Sequence, residues 1–202
     1  MSQFIETICY VNRELRNLDL HQNRFNKTRL AHFPNAKLIN LTEEITIPSN
    51  LNEDKYKVRV VYGKDIELIE FIPYQIKPLN TIAVYKIDSL FDYTYKNTNR
   101  NYFDKIIQQS GKDDLILIKD NFVTDTTYTN LIFFNGTEWH TPSTYLLPGI
   151  MRQHLLNKEK VKEKVIKITD LKNYISFKRI NAMISFEEAE IFDIKTIESF
   201  VF

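Results

Sequence analysis

Three short segments carry the side chains whose types and spacing are best suited to chemistry. In chain order they are Lys96–Arg100 (KNTNR), Val123–Leu131 (VTDTTYTNL) and Leu147–Arg152 (LPGIMR). A lysine amine that is partly removed from water loses its proton more readily and then acts as a nucleophile, and Lys96 is the candidate. Gly149 opens a predicted helix, and the first N–H groups of a helix attract an anion such as phosphate. The segments therefore offer an amine and an anion site, with the carboxylate of Asp125 between them in sequence.

Other catalytic patterns are absent from the chain. The four histidines fall at no metal-ligand spacing and Cys9 is the single cysteine, so no metal site is expected. No serine stands in a glycine-flanked elbow, and the four glycines are too scattered for a P-loop or a dinucleotide fingerprint. Lys+Arg 27 against Asp+Glu 26 leaves a net charge of +1, which argues against a nucleic-acid partner.

The elements that must position these segments alternate between strands and helices. Strands are predicted where β-branched and aromatic residues alternate, and helices where capping residues precede an apolar repeat. The predicted strands are 4–11, 56–62, 65–73, 81–87, 114–119, 129–134 and 139–141, and the predicted helices are 19–33, 99–109 and 149–156. On the first helix, Asp19 and Gln22 form the expected cap, and His21, Arg24 and Thr28 share one stripe.

The pattern predicts an α+β chain with two lobes. The best linker candidate is Pro78-Leu79-Asn80, which divides the chain into a small domain, 1–79, and a larger one, 80–202. The lysine-rich run 158–167 is interpreted as a solvated helix end passing into a strand, with a phosphate-binding patch as the alternative. No apolar run approaches the roughly 20 residues that cross a bilayer, and no secretory leader is visible. We therefore expect a cytoplasmic protein with no membrane contact.

Together, the three segments resemble the class IV aminotransferase family, the fold type IV enzymes that use pyridoxal 5′-phosphate (PLP). The resemblance extends from Phe4-Ile5-Glu6-Thr7 through His21-Gln22-Asn23-Arg24 to Arg179-Ile180-Asn181-Ala182. It implies the two-lobed fold of D-amino-acid aminotransferases, PLP as the cofactor, a small-molecule amino substrate and a homodimer. Lys-x-x-Asn-Arg and Gly-Ile-Met-Arg-Gln are more similar to 4-amino-4-deoxychorismate lyase, an enzyme of folate biosynthesis, than to the branched-chain enzymes.

The resemblance also implies roles for individual residues. Lys96 matches the lysine that forms a Schiff base with the cofactor and acts as the base at Cα. Asp125 matches the acid that faces the pyridine nitrogen, where most members carry Glu. Arg24 matches the arginine that binds the phosphate, and Thr7 matches a threonine that assists proton transfer in the lyases.

A second group of residues matches the rest of the phosphate site. These residues are Gly149, Ile150 and Met151 at the helix start, and Asn181 and Ala182 in a later loop. The residues alone leave other interpretations open: a surface lysine at 96, a turn aspartate at 125, an ion pair between Arg24 and a surface acid, strand packing at Thr7, and an Asn181 that caps its own backbone.

The chain departs from the family at two places. It starts directly at the Phe-Ile-Glu-Thr strand, an N-terminally shortened pattern, and it has no Pro-Val after the last phosphate loop. The substrate is therefore less determined than the cofactor. The implied function is a lyase that yields 4-aminobenzoate and pyruvate. The alternatives are an aminotransferase for branched-chain or D-amino acids, and a non-catalytic scaffold of the same fold.

Overall fold

A computed structural model describes residues 3–198. The chain divides into two compact units, Met1–Ile76 with Tyr95–Asn99, and Lys77–Thr94 with Arg100–Phe202. The first unit thus includes a short segment from beyond the expected linker. The division into domains 1–79 and 80–202 stays a prediction. Each helix among residues 3–198 is too short or too polar to span a lipid bilayer.

The first unit is an antiparallel sheet with one long helix. Its elements are β1 (Phe4–Val11), β2 (Glu14–Leu15), α1 (Leu18–His32), α2 (Leu41–Glu44), β3 (Tyr56–Tyr62) and β4 (Ile66–Pro73), and the sheet order is β2-β1-β3-β4. The turn between β1 and β2 has both Asn12 and Arg13 at positive φ, 51° and 63°, which matches the twist of a tight hairpin. On β1, alternate residues Phe4, Ile8 and Tyr10 pack in one core with Phe25 of α1. Glu6 falls in the same alternation, and this register directs a carboxylate towards the helix.

The predicted cap of α1 is wrong. The helix begins after Asn17, which lies at φ 53° and gives no side-chain cap. Gln22 bonds elsewhere: its amide donates to the Ile39 carbonyl at 2.9 Å and its oxygen accepts the Leu41 N–H at 2.7 Å. Gln22 therefore fastens α1 to the segment that leads into α2 instead of closing the helix start.

Up to residue 198, the second unit contains two sheets and two α-helices. Its elements are β5 (Ile82–Lys86), α3 (Asn101–Ser110), β6 (Asp114–Lys119), β7 (Phe122–Thr126), β8 (Asn130–Phe134), β9 (Trp139–Pro142), α4 (Ile150–Asn157), β10 (Lys162–Lys164), β11 (Ser176–Ile180), β12 (Phe192–Asp193) and β13 (Ile197–Glu198), with 3₁₀ turns at Ile168–Asn173 and Ile194–Thr196. The sheet orders are β13-β5-β6-β7 and β10-β9-β8-β11-β12. Ile116, Leu131, Phe133 and Phe177 belong to one core that joins the two sheets.

Four strands of the second unit, β7, β11, β12 and β13, were not predicted. β7 forms a hairpin with β6 through Asp120 and Asn121, which have φ of 51° and 69°, so the turn closes without the glycine that usually marks it. Because of this hairpin, Asp125 lies inside a strand, not in the loop that was expected after one. β11 lies between β8 and β12 and carries the chain towards Asn181.

Candidate functional site

Lys96 is attached to β1 by both its backbone and its side chain. The Ile5 N–H donates to the Lys96 carbonyl at 2.9 Å, and Asn97 forms an antiparallel bridge with Phe4. The Lys96 Nζ donates to Thr7 Oγ1 at 3.2 Å. Ile5 and Thr7 are two residues apart on a strand and so share one face. Of the predicted site residues, the structure therefore brings Lys96 and Thr7 together, with the half-buried amine beside a hydroxyl.

A buried ion cluster lies on the other face of β1. Glu6 is fully buried and accepts three hydrogen bonds: Arg24 Nε to Oε1 at 2.8 Å, an Arg24 terminal nitrogen to Oε2 at 2.5 Å, and His21 Nδ1 to Oε2 at 2.6 Å. The stripe predicted on α1 is buried, and its two basic side chains converge on this carboxylate. Arg24 thus pairs with an acid, although with a buried one and not with a surface one.

The charges of this cluster compensate one another. Burial alone raises the pKa of Glu6, but the Arg24 charge and the hydrogen bonds from His21 and Arg24 outweigh it, so the pKa falls from 4.5 to about 2. Burial lowers the pKa of His21 against the raising effect of Glu6. Glu6 is therefore ionised and His21 neutral near pH 7. An ionised carboxylate only accepts, so His21 carries its proton on Nδ1.

Sequence reasoning missed Glu6. The signal was present, because a single acid among the apolar positions of β1 alternates with Phe4 and Ile8 and so points to the core. A buried acid needs a basic partner, and the stripe on α1 supplied two. Combining the strand and the helix patterns would have predicted the pairing.

Arg59 is a second residue that the motifs did not mark. It is the cross-strand partner of Thr7 in the β1–β3 register, so both side chains lie on one face of the sheet. Its guanidinium donates to Glu70 at 2.8 Å, and both side chains of this pair remain about one-third exposed. A guanidinium on the face of Thr7 is suited to an anionic group of a small molecule.

Asp125 lies at the centre of a hydrogen-bond network in the second unit. Its side chain is buried, and Oδ2 accepts the N–H groups of Leu146 and Leu147 at 2.9 and 3.0 Å. Oδ1 accepts the Asn130 amide at 2.7 Å, and the same amide donates to the Leu147 carbonyl at 3.0 Å. Burial raises the pKa of Asp125 from 3.8 to about 6 despite these bonds. The carboxylate therefore fixes the segment that leads into α4.

The start of α4 lies directly after this network. Gly149 is the N-cap residue, and among residues 3–198 no side chain caps the helix there. Ile150 and Met151 occupy the first turn with buried side chains, so it is their backbone N–H groups that can meet an anion. A Cβ added at Gly149 would lie 1.7 Å from Asn130 Oδ1. Glycine is thus required here by the close approach of Asn130.

Replacing Gly149 with alanine is expected to displace Asn130 and to lower the free energy of unfolding by about 1–3 kcal/mol, the usual cost of overpacking. The same displacement removes a hydrogen bond from Asp125, so anion binding at α4 should weaken as well. Thermal unfolding and a phosphate titration measure the two effects. Gly63→Ala is the matched control, because its Cβ would meet the flexible end of Glu67 at 3.2 Å and Phe33 at an ordinary contact distance of 3.8 Å. Equal stability of the two variants would contradict the steric argument.

Asn181 forms a turn with its own neighbours. Its oxygen accepts the Met183 N–H at 2.8 Å, and its backbone pairs with Ile184. The amide donates to the Tyr128 carbonyl at 3.4 Å, a long bond. The backbone cap left open by the sequence is thus present, and Ala182 lies half-buried in the same turn. The phosphate contact of Asn181 and Ala182 stays a prediction.

Within residues 3–198, no group of three or more His, Cys, Asp or Glu side chains could hold a metal ion. Four polar groups of the described residues are candidates for binding a cofactor or substrate. They are the Lys96 amine with Thr7, the Arg24 guanidinium on Glu6, the Asp125 carboxylate and the start of α4.

The chain is similar to a family model, to a curated protein and to solved structures. The family model for class IV amino-transferases matches residues 3–186. An uncharacterised protein of Haemophilus influenzae is 32% identical over 186 residues, which span 91% of this chain and 98% of that protein. The crystal structure of a provisionally named 4-amino-4-deoxychorismate lyase from Haemophilus somnus is 28% identical with a TM-score of 0.85, covering 92% of this chain and 98% of that one. A PLP-bound hypothetical aminotransferase from Mycobacterium tuberculosis shares the fold at 14% identity, with a TM-score of 0.70 and coverage of 94% and 79%.

Proposed function

Because the chain belongs to the class IV amino-transferase family, we propose that it is a PLP-dependent enzyme acting on the amino group of a small molecule, with Lys96 as the attachment residue. The family and the fold type IV architecture expected from the sequence are confirmed. The observation that carries the proposal is the hydrogen bond from the Lys96 amine to the Thr7 hydroxyl at 3.2 Å.

The donor set fits the chemistry of PLP. When bound, PLP supplies an aldehyde that combines with amines and a pyridine ring that accepts the electron pair left at Cα. In the first unit, Lys96 provides an amine and Arg24 a guanidinium that suits a phosphate. In the second unit, the start of α4 provides backbone N–H groups that suit an anion. Asp125 provides the carboxylate for a protonated ring nitrogen. The glycine at 149 leaves room for the Asn130 side chain, whose amide donates to Asp125 and to the Leu147 carbonyl just before α4.

Lys96 and Thr7 together would move the proton at Cα. A lysine amine released by the substrate amine is a base, and the Thr7 hydroxyl within hydrogen-bond reach orients it and can relay a proton. Asp125 would hold the ring nitrogen in its charged form. Its burial makes that interaction strong, because the low dielectric of the interior weakens Coulomb forces less than water does.

For the substrate, we propose aminodeoxychorismate, cleaved to 4-aminobenzoate and pyruvate. Support comes from the lyase-like motifs around Lys96 and Gly149, and from the name of the Haemophilus somnus relative. Arg59, on the face of Thr7, offers a guanidinium for a substrate carboxylate. The second candidate is a class IV aminotransferase, which would use the same Lys96, Thr7 and Asp125 and return the proton to the cofactor.

The test begins with the wild-type protein and PLP. We expect borohydride to fix one PLP per chain, and peptide mapping to find it on Lys96. Incubation with aminodeoxychorismate should then release pyruvate and 4-aminobenzoate in equal amounts. A 2-oxo acid formed from an amino acid, without pyruvate from aminodeoxychorismate, would support the aminotransferase. Absence of any fixed PLP would leave only the non-catalytic scaffold.

A further inference from the structure

The carboxylate of Glu6 has no part in the proton transfer just described, yet it is fully buried and closely bound. It has no exposed surface, and it accepts three hydrogen bonds of 2.5 to 2.8 Å from two different side chains. Burying a carboxylate is unfavourable unless it is paired this fully. The role of the Glu6 carboxylate therefore has to lie in how it orients the side chains that it binds, Arg24 and His21.

Its main partner is Arg24, which meets it along one edge of the guanidinium. Nε and one terminal nitrogen reach the two carboxylate oxygens separately, a bidentate geometry that fixes the plane of the guanidinium. A guanidinium has five N–H donors in one plane, so it can bind a carboxylate along one edge and an anion along another. A long, flexible side chain held in this way loses little further freedom when an anion arrives.

His21 fixes the carboxylate in turn. Its Nδ1–H donates at 2.6 Å to the same Oε2 that receives the Arg24 terminal nitrogen. The ring is fully buried, and its Nε2 has no hydrogen-bond partner within the described residues 3–198. His21 thus gives its only ring proton to Glu6, which keeps the carboxylate from rotating away from Arg24.

We propose that Glu6 is a positioning residue for the cofactor phosphate: clamped by His21, it holds the Arg24 guanidinium in the orientation that binds a phosphate. This inference rests on the proposed function, because it takes the phosphate of PLP as the anion. A positioning role and a simple charge effect predict opposite changes in phosphate binding when Glu6 is replaced. If charge alone mattered, removal of the negative charge at Glu6 would strengthen phosphate binding, whereas loss of positioning weakens it.

PLP and pyridoxal are aldehydes that differ only in the phosphate. Comparing their affinities separates an effect on the phosphate site from an effect on the rest of the site. PLP and pyridoxal would both bond to the Lys96 amine through their aldehyde, but only PLP has a phosphate for Arg24. In Glu6→Gln we expect the dissociation constant of PLP to rise about tenfold or more, as when the supporting partner of a binding residue is removed, and that of pyridoxal to stay unchanged. Inorganic phosphate should also compete less well against PLP in this variant.

Further variants show whether weaker PLP binding comes from lost positioning of Arg24 or from the change in charge. Glu6→Asp keeps the charge but is one methylene shorter, so it should weaken PLP binding as well. Glu53→Gln removes an exposed carboxylate that pairs only loosely with Arg13, at 3.5 Å, and should leave both aldehydes unaffected. In an Arg24→Lys background, Glu6→Gln should cause little further loss, because Glu6 acts through Arg24.

Three results would overturn the inference. The first is tighter PLP binding in Glu6→Gln. The second is a Glu6→Asp variant that binds PLP like the wild type. The third is a loss of PLP affinity on Glu6→Gln that is equally large in the wild type and in the Arg24→Lys background. Should Glu6→Gln not fold, His21→Gln removes one clamp and leaves the carboxylate, and an unchanged ratio of PLP to pyridoxal affinity there would equally overturn it. A wild type that fixes neither aldehyde on Lys96 would instead contradict the proposed function.

Discussion

Replacing Lys96 with alanine is expected to abolish covalent attachment of PLP and to lower turnover by at least about 10³-fold. The physical reason is that one amine performs two tasks, since it bonds the aldehyde and then moves the proton at Cα. The Thr7 hydroxyl at 3.2 Å would lose its donor but cannot replace it, because a hydroxyl is a far weaker base. Borohydride fixation followed by intact-mass measurement reports the first effect, and product formation reports the second.

The matched control is Lys37→Ala. Lys37 is an exposed lysine of the first unit, so its removal changes the net charge by the same amount without touching β1. We expect this variant to fix PLP and to turn over like the wild type. A PLP adduct that persists at full stoichiometry in Lys96→Ala would mean that another lysine is the attachment residue.

The sequence predicted the order of the elements well where local patterns are strong. Alternation in β1 and β3 and the Ser110-Gly111 stop of α3 are signals within a few residues, and the structure has these elements close to the expected bounds, with Gly111 at φ 64°. β7 was missed because its turn is made by Asp120 and Asn121 at positive φ, a conformation that their side chains tolerate but that no glycine announces.

The chemistry of the candidate site was only partly visible in the sequence. The motifs marked Lys96 and Asp125, but not what those side chains would touch. Thr7 lies 89 residues before Lys96, and the N–H groups that bind Asp125 lie 21 and 22 residues after it. Contacts of this kind are set by strand register and loop closure, for which a single sequence has no local signal.

The burial of Glu6 could be predicted from the sequence, but its pairing with α1 could not. Its burial follows from the alternation on β1, and the stripe on α1 follows from a period of 3.6 residues. Neither pattern alone says that the strand and the helix face each other, and that packing is what turns a lone acid and two basic residues into a neutral cluster. The chemistry therefore becomes predictable only once the two elements are paired.

Asp125 serves structure and chemistry at once, so its replacement by asparagine should have two separable effects. The Asn oxygen can still accept the Leu146 and Leu147 N–H groups, but its NH₂ would then face the Asn130 amide, donor against donor. One buried hydrogen bond is lost, at a cost of about 1–3 kcal/mol. Turnover should fall further, by about 10²–10³-fold, because the charge that holds the ring nitrogen protonated is gone. Some cofactor should still bind, since Lys96 and Arg24 remain.

The pH dependence of stability separates these effects. Burial raises the pKa of Asp125 from its ordinary value of 3.8, which applies to the unfolded chain, to about 6 in the folded protein, so this carboxyl binds more protons folded than unfolded between those pH values. Its contribution to the stability of the cofactor-free wild type is therefore present below about pH 4 and is lost as the pH rises through 6, a change of about 3 kcal/mol that Asp125→Asn cannot show. Denaturant unfolding of both proteins at pH 4.5 and pH 7 measures the part of this change that falls between those pH values, about 2 kcal/mol, with Asp104→Asn, an exposed aspartate of α3, as the control. A variant with unchanged turnover would contradict the role on the ring, and parallel pH profiles would contradict the burial of an uncompensated charge.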